Sequence, residues 1–337
     1  MNDDAPWYHP AMSSRSVARP FPAMSVGGTA LGAVLLAVVA THAAPPKAAA
    51  AGPVLLASNA GIATGMMTDD SAVYWSTGGK LLAVDKVGGA MRTVQASTVT
   101  TMVNASGRLL FGAGATVYGL LQPPKASPLK DFAVVAESTT VDRLYRSVAP
   151  QVCATRHYGS AMLTKIACLD PSQPGTVTEL DFASAAVNLH VAMDGSRMYW
   201  SDDLEKTGTE GIYSATYAPT TKATGTPTRL VSTPDHPTGL VADSGVLFWF
   251  EKAGLVSLST TTSPPVRTLL AGSVSGTSLV ADATHVYWLT SAGISRVSRA
   301  GGGKVEAVVA KKLDAYTLDD SSVYWMTAGK LWKQPKG

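Results

Sequence analysis

Charge is scarce in this 337-residue chain: 15% of its residues are Asp, Glu, Lys or Arg, and the formal net charge is +3. No Lys/Arg cluster is present to track a phosphate backbone, which argues against nucleic acid as a partner. Cysteine is limited to Cys153 and Cys168, and no paired-Cys metal spacing exists. Histidine is equally sparse, with only His157, His190, His236 and His285 beyond the N-terminal segment. A Gly-rich phosphate loop, His-Glu-x-x-His and Gly-x-Ser-x-Gly are all missing, so no catalytic residue, metal or cofactor is expected. After residue 50 there is no long amphipathic helix pattern.

What is plentiful is Gly (31) and Pro (20), with Val, Thr, Ser and Ala between them, a composition that suits many short strands joined by tight turns. At the N-terminus, Met24 to Ala40 is apolar, follows Arg15 and Arg19, and leads into the small residues Thr41-His42-Ala43-Ala44. Residues 1–43 therefore read as an export signal, with Met12 as an alternative start. An uncleaved anchor is the other reading, since 17 apolar residues reach the lower limit for crossing a bilayer and the upstream arginines leave the rest outside. No Cys follows the run, which excludes a lipoprotein anchor. Residues 44–52, with Pro45-Pro46 and an alanine run, are a linker, and 53–337 is the folded part. Export places Cys153 and Cys168 where disulfides persist. Alternation puts them on strands Val152 to Thr155 and Thr164 to Leu169, joined near Gly159-Ser160, so a disulfide is expected; two buried free thiols are the alternative.

Five tryptophans close one phrase: an aliphatic or Met residue, Tyr or Phe, then Trp, with Asp six residues upstream. The phrases run Asp69–Trp75, Asp194–Trp200, Asp243–Trp249, Asp282–Trp288 and Asp319–Trp325. Each opens a unit of four short strands, clearest from Gly239 to Leu270 and again from Ser278 to Val309. Units of about 40 residues in series predict an all-β fold, a single β-propeller of four-stranded blades. The long gap between Trp75 and Trp200 holds two degenerate units. One has Leu109-Leu110 where Tyr-Trp is expected after Asn104. The other has its second strand at Leu144-Tyr145 or at Val152-Cys153, with Cys153-Ala154 giving the more even spacing. Seven blades result, or six if 139–181 holds no complete blade. The last unit stops after its third strand, while Pro53 to Ala57 resembles a fourth strand, so the two chain ends are expected to share a sheet. Adjacent Tyr and Trp point to opposite faces and serve as packing wedges between blades, and the five Asp residues as Asx-turn caps.

At these residues the chain resembles the YWTD β-propellers of low-density-lipoprotein-receptor-type proteins and a related group of exported bacterial propellers of unassigned role. Tyr199-Trp200-Ser201-Asp202 comes nearest the motif. Elsewhere its last two positions drift to Ser76-Thr77, Phe250-Glu251, Leu289-Thr290 and Met326-Thr327, so the Asp network that ties the family's blades together is mostly missing.

Polar residues gather on the face shared by the second-to-third-strand loops and the blade connections. Asp202, Asp203 and Glu205 belong to one enlarged loop, Asp235 and His236 to the next connection, and His157 and Tyr158 to the preceding blade's loop. These form the candidate ligand site, with a solvated acidic loop as the plain alternative and a Ca²⁺ site as a lesser one. His285 fills a turn slot, and Gln122 to Leu129 is a long connection on the opposite face. The reading that follows is an exported, monomeric, non-enzymatic scaffold that binds a protein, peptide or glycan and meets a membrane only through its N-terminal segment. The alternative is a propeller lyase or lactonase with a divalent metal in its central channel. Closure by residues 53–58 predicts that a chain trimmed to start at Gly52 keeps one cooperative thermal transition, read by circular dichroism. Trimming past Val54 should abolish it; a retained transition would contradict this closure.

Overall fold

Short runs of Val, Thr, Tyr and Trp bounded by Gly, Ser and Asp fold as strands of two to eight residues. The computed structural model describes residues 52–337 except 106–107, 115, 121–129, 133–140, 147–150, 159–162, 170–176, 185–189, 203–209, 219–222 and 234–236. The export segment, the linker up to residue 51, the 122–129 loop and the 159–160 turn lie outside the described residues.

Blade 1 is built from Gly65–Thr68, Ala72–Thr77, Lys80–Asp85 and Arg92–Gln95, and blade 2 from Thr101–Ala105, Arg108–Ala113, Thr116–Gly119 and Lys130–Phe132. Blade 3 comprises Val141–Arg146, Val152–Tyr158, Leu163–Leu169 and Val177–Ser184. Blade 4 comprises Val191–Asp194, Arg197–Asp202, Gly211–Ala218 and Thr228–Ser232, with Ala223–Thr224 also paired to its third strand. Blade 5 takes Thr238–Asp243, Val246–Glu251, Gly254–Ser259 and Val266–Gly272; blade 6 takes Thr277–Ala281, His285–Thr290, Gly293–Ser298 and Glu306–Val309. Blade 7 contains Ala315–Leu318, Ser322–Thr327 and Lys330–Pro335, and its fourth strand is Val54–Ala57 from the other end of the chain. All pairings are antiparallel, and the first strands of blades 7, 1, 2, 3, 4, 5 and 6 lie side by side in that order around the ring. The seven-blade propeller is thus closed by a strand from each terminus.

Each sheet buries both faces against its neighbours, and the aromatic phrase fills both wedges. Trp75 packs on Tyr324 and Met326 of blade 7, while Tyr74 packs on Leu109 and Phe111 of blade 2. The Trp therefore faces the preceding blade and the Tyr the following one. Truncating a buried aromatic of this kind to Ala costs about 3–5 kcal/mol. In blade 3, Cys153 packs against Trp200 of blade 4 and Ala154 against Leu110 of blade 2, so Cys153-Ala154 occupy the Tyr-Trp slots. Cys153 and Cys168 are opposite one another on adjacent strands and form a disulfide. In blade 2 the slots fall one residue later than expected. Asn104 pairs with Leu109 as Thr68 pairs with Val73, so Asn104 matches Thr68 and Leu110-Phe111 fill the Tyr-Trp places. The sequence lacks the turn Asp in this blade, and with it the marker that sets the register.

The turn carboxylates act in two ways. Asp69, Asp282 and Asp319 each accept two backbone N–H bonds through Oδ1, from residues two and three positions on, all at 2.8–2.9 Å. The Tyr74 and Tyr324 hydroxyls donate to Oδ2 of Asp69 and Asp319 at 2.6 and 2.8 Å. Blades 4 and 5 turn instead through left-handed Gly195 and Ser244-Gly245. Their carboxylates reach the next blade: Asp194 accepts from the Gly245 N–H at 2.6 Å, and Asp243 pairs with Arg299.

A recurring clamp joins three consecutive interfaces. Lys86, Arg299 and Lys336 each follow the third strand of their blade and donate a backbone N–H to its first-to-second-strand turn. Their side chains meet Asp319, Asp243 and Asp282 of the preceding blade, the two lysines at 2.7 and 2.6 Å respectively. They also lie over Tyr324, Phe248 and Tyr287, at 5.9, 5.0 and 5.5 Å from the ring centroids. The Lys86–Asp319 member crosses the seam where the ring closes.

Burial alone would raise the Asp282 and Asp319 carboxyls, but the lysine hydrogen bond and two backbone N–H bonds outweigh it and hold both well below the usual range. A carboxyl depressed on folding contributes stability that is complete above its unfolded pKa of about 3.9 and is lost as pH falls below it. Thermal stability should therefore drop as pH falls below about 4. Asp319→Asn keeps the turn acceptor and loses the charge; it should lower Tm at pH 7 by on the order of 2–5 °C and flatten the acid limb. An unchanged limb in Asp282→Asn and Asp319→Asn would remove the clamps from this account.

Candidate functional site

In each blade the second-to-third-strand hairpin and the connection to the next blade emerge on the same face of the ring. On this face, blade 6 carries a groove of about 600 Å³. One wall is the connection Ser273–Thr277, the other the hairpin Thr290–Ala292, and between them lie Trp288, Ser295 and Val305.

The groove lies where blade 6 carries a small residue on its third strand. Second- and third-strand residues directly opposite each other share a sheet face, and the partner of the aromatic on the preceding-blade side is Leu82 for Trp75 and Tyr118 for Phe111. It is Tyr213 for Trp200, Val256 for Trp249 and Trp332 for Trp325. Opposite Trp288 stands Ser295. Five sister blades set a larger apolar side chain here and blade 3 sets Ala167 opposite Ala154, while blade 6 has the small, polar Ser295.

Two local features hold the walls in place. Gly276 presses on the aromatic, and a Cβ added there would meet Trp288 Cδ1 at 2.5 Å and the Leu289 carbonyl oxygen at 2.6 Å. Ser273 and Ser278 adopt left-handed backbone at φ 56° and 53°, folding the connection back over the blade. In the hairpin, Thr290 Oγ1 accepts the Ala292 and Gly293 N–H groups, both at 3.1 Å.

Among the described residues no charged side chain lines the groove. Its surface is hydroxyl, backbone and apolar: Ser273, Ser275, Ser291 and Ser295 beside Val274, Leu289 and the Trp288 ring. The carboxylates with displaced pKa values belong to the clamps, in the first-to-second-strand turns of the opposite face. Tyr287, next to Trp288, is pushed up to about 12 by burial and by the Asp282 charge, and it faces blade 7. Such a surface suits an uncharged ligand with both apolar and hydrogen-bonding character.

Of the residues singled out from the sequence, Asp202 ends the second strand of blade 4 and His157-Tyr158 end that of blade 3, all on the loop face. The side chains of these three, and the residues Asp203, Glu205, Asp235 and His236, lie outside what the structure describes. Among the described residues no three His, Cys, Asp or Glu side chains converge as a metal would need. His285 stands in a first-to-second-strand turn, its Nδ1 2.8 Å from Thr284 Oγ1. Sequence reasoning passed over the groove, although its signal is present. In the four units with short hairpins, the seventh residue after the phrase Trp reads Leu82, Val256, Ser295 and Trp332, and the Ser is the outlier.

No family model and no curated protein matches the chain. Solved structures share the fold. The AfRom2 CNH domain superposes with a TM-score of 0.55 at 12% identity, covering 84% of this chain and 98% of that one. The computationally designed Ika8 protein gives 0.53 at 13%, covering 83% and 98%. The Dos1 propeller gives 0.53 at 7%, covering 81% and 78%. At these identities the likeness is one of fold, and function has to be argued from the site.

The close contact at Gly276 predicts that Gly276→Val displaces the connection from Trp288, at a cost of about 1–3 kcal/mol. Limited proteolysis should then cut within 272–278 faster than in the parent; an unchanged cleavage rate would show that the groove wall does not depend on this contact.

Proposed function

We propose that this chain is an exported, non-enzymatic propeller scaffold that binds an uncharged segment of a protein, peptide or glycan through its loop face, with the blade 6 groove as its contact. The observation that carries this is the open, charge-free volume beside Trp288 on a face built of loops. The Cys153–Cys168 disulfide and the apolar run before the fold agree with export. We read the repeat as YWTD-like on the strength of Tyr199-Trp200-Ser201-Asp202 and the recurring Asp–Tyr hydrogen bonds at Asp69 and Asp319. We further propose, from their place in the sequence, that the loop residues Asp202, Asp203, Glu205, Asp235, His236, His157 and Tyr158 contribute to ligand binding.

A peptide and glycan array probed with the full chain tests this reading. Ligands retained by the parent should lose about tenfold in affinity, on the order of 1.4 kcal/mol, when Ser291→Arg places a charge at the groove mouth. If no retained ligand responds to Ser291→Arg, nor to Asp235→Ala with His236→Ala, the loop face is not the binding surface.

A further inference from the structure

The sister blades show what shape the groove accepts. In blade 4 the volume beside Trp200 is taken by Tyr213, stacked at 5.8 Å between centroids with 17° between planes. In blade 2, Tyr118 stacks on Phe111 at 5.3 Å and 17°. In blade 7 the partner of Trp325 is Trp332, and Lys311 lies over both rings. Three blades thus close this position with an aromatic side chain of their own, on the same face of the same strand pair. Blade 6 alone among the five Trp-bearing blades presents a hydroxymethyl group there.

We infer that the blade 6 groove binds an aromatic side chain, Trp or Tyr, supplied by a protein or peptide partner, which occupies in trans the place that Tyr213 and Trp332 fill in cis. The inference rests on the groove being the binding surface proposed above and adds the class of ligand. Charge agrees with it, because no ionic group among the described residues lines the groove and an indole or phenol ring carries none. Size agrees too: a volume of about 600 Å³ exceeds one side chain and leaves room for the flanking peptide backbone. The serines of the connection and hairpin supply hydrogen-bonding groups for that backbone. The Trp288 ring is only 1% exposed, with its Cδ1 edge covered by Gly276, so it forms the floor of the groove, and an incoming ring packs beside it along Ser295 and the two walls.

The test uses full-length protein with three probes: the capped tripeptide Gly-Trp-Gly, its Gly-Leu-Gly counterpart, and a neutral trisaccharide of N-acetylglucosamine, read by ligand-observed saturation-transfer NMR and titration. The Trp peptide should bind at least about tenfold tighter than the Leu peptide. That preference should persist in Ser295→Ala and disappear in Ser295→Trp, which installs the side chain blade 7 already tolerates. Ser295→Leu, which installs the side chain that blade 1 carries at Leu82, gives the same readout should the larger substitution unfold the chain, and thermal transitions report folding in each case. Equal binding of the Trp peptide to the parent and to both filled variants overturns the inference. If instead the trisaccharide binds and is lost on filling the groove, the site stands and the aromatic assignment falls. If none of the probes responds to filling, both fall.

Discussion

Among the described residues every sheet has two faces to bury and no layer of helices to bury them with. The only surface available is the next sheet, which makes the wedge between neighbouring blades the interaction on which the rest depends. A Tyr and a Trp at successive positions meet that need because adjacent residues of a strand point to opposite sides, so a two-residue phrase closes two interfaces. Trp75, Tyr74, Trp249, Trp288, Tyr287, Trp325 and Tyr324 are all essentially sealed from solvent. Once the wedges are filled, the ring has to close, and the pairing of Val54–Ala57 with Lys330–Pro335 closes it.

Polar groups fix what the wedges leave loose. Hydrophobic contact is non-directional and would tolerate some sliding of one blade on another. The carboxylate–cation–ring clamps are directional, and they stand at three consecutive interfaces, including the one where the chain's ends meet. There they are part-buried, with side-chain exposures of 11–19% for the two lysine pairs, which sets them apart from ordinary surface ion pairs. The division of labour across the ring is clear: ionic ties on the face of the first-to-second-strand turns, an uncharged groove on the face of the connections.

Much of this was legible in the sequence, and the failures have physical causes. Aromatic spacing gave the blade number and the wedge assignment because Trp is bulky, rare and forced to the same place in each unit. The register of blade 2 slipped by one because Leu and Phe interchange in a wedge without any marker, and the turn that would have fixed the count lacks its Asp. Blade 3 was placed correctly at Cys153-Ala154 because even spacing survives the loss of the aromatics. The groove is not legible in the sequence for the opposite reason: its marker is a small residue, Ser295, which forms no motif and stands out only against the larger residues of its sister positions. In a repeat protein the departures from the average are where a site shows itself, and they are visible only after the units have been laid in structural register.

The closing strand also sets a clock. Val54 and its partner Lys333 are 279 positions apart in the chain, one of the longest pairings the topology allows. At ribosomal rates of about 5–20 residues per second, the strand that completes the ring is made first and waits roughly 15–55 s for the third strand of blade 7 to appear. Throughout that interval the segment has no strand to pair with, because its only partner among the described residues is Lys330–Pro335, and the contact order of the final step is high. The closing strand is only four residues long, with Leu56 and Ala57 as its buried members. An unpaired segment this brief is a poor template for pairing with other chains, so its shortness protects the unfinished ring for as long as synthesis takes.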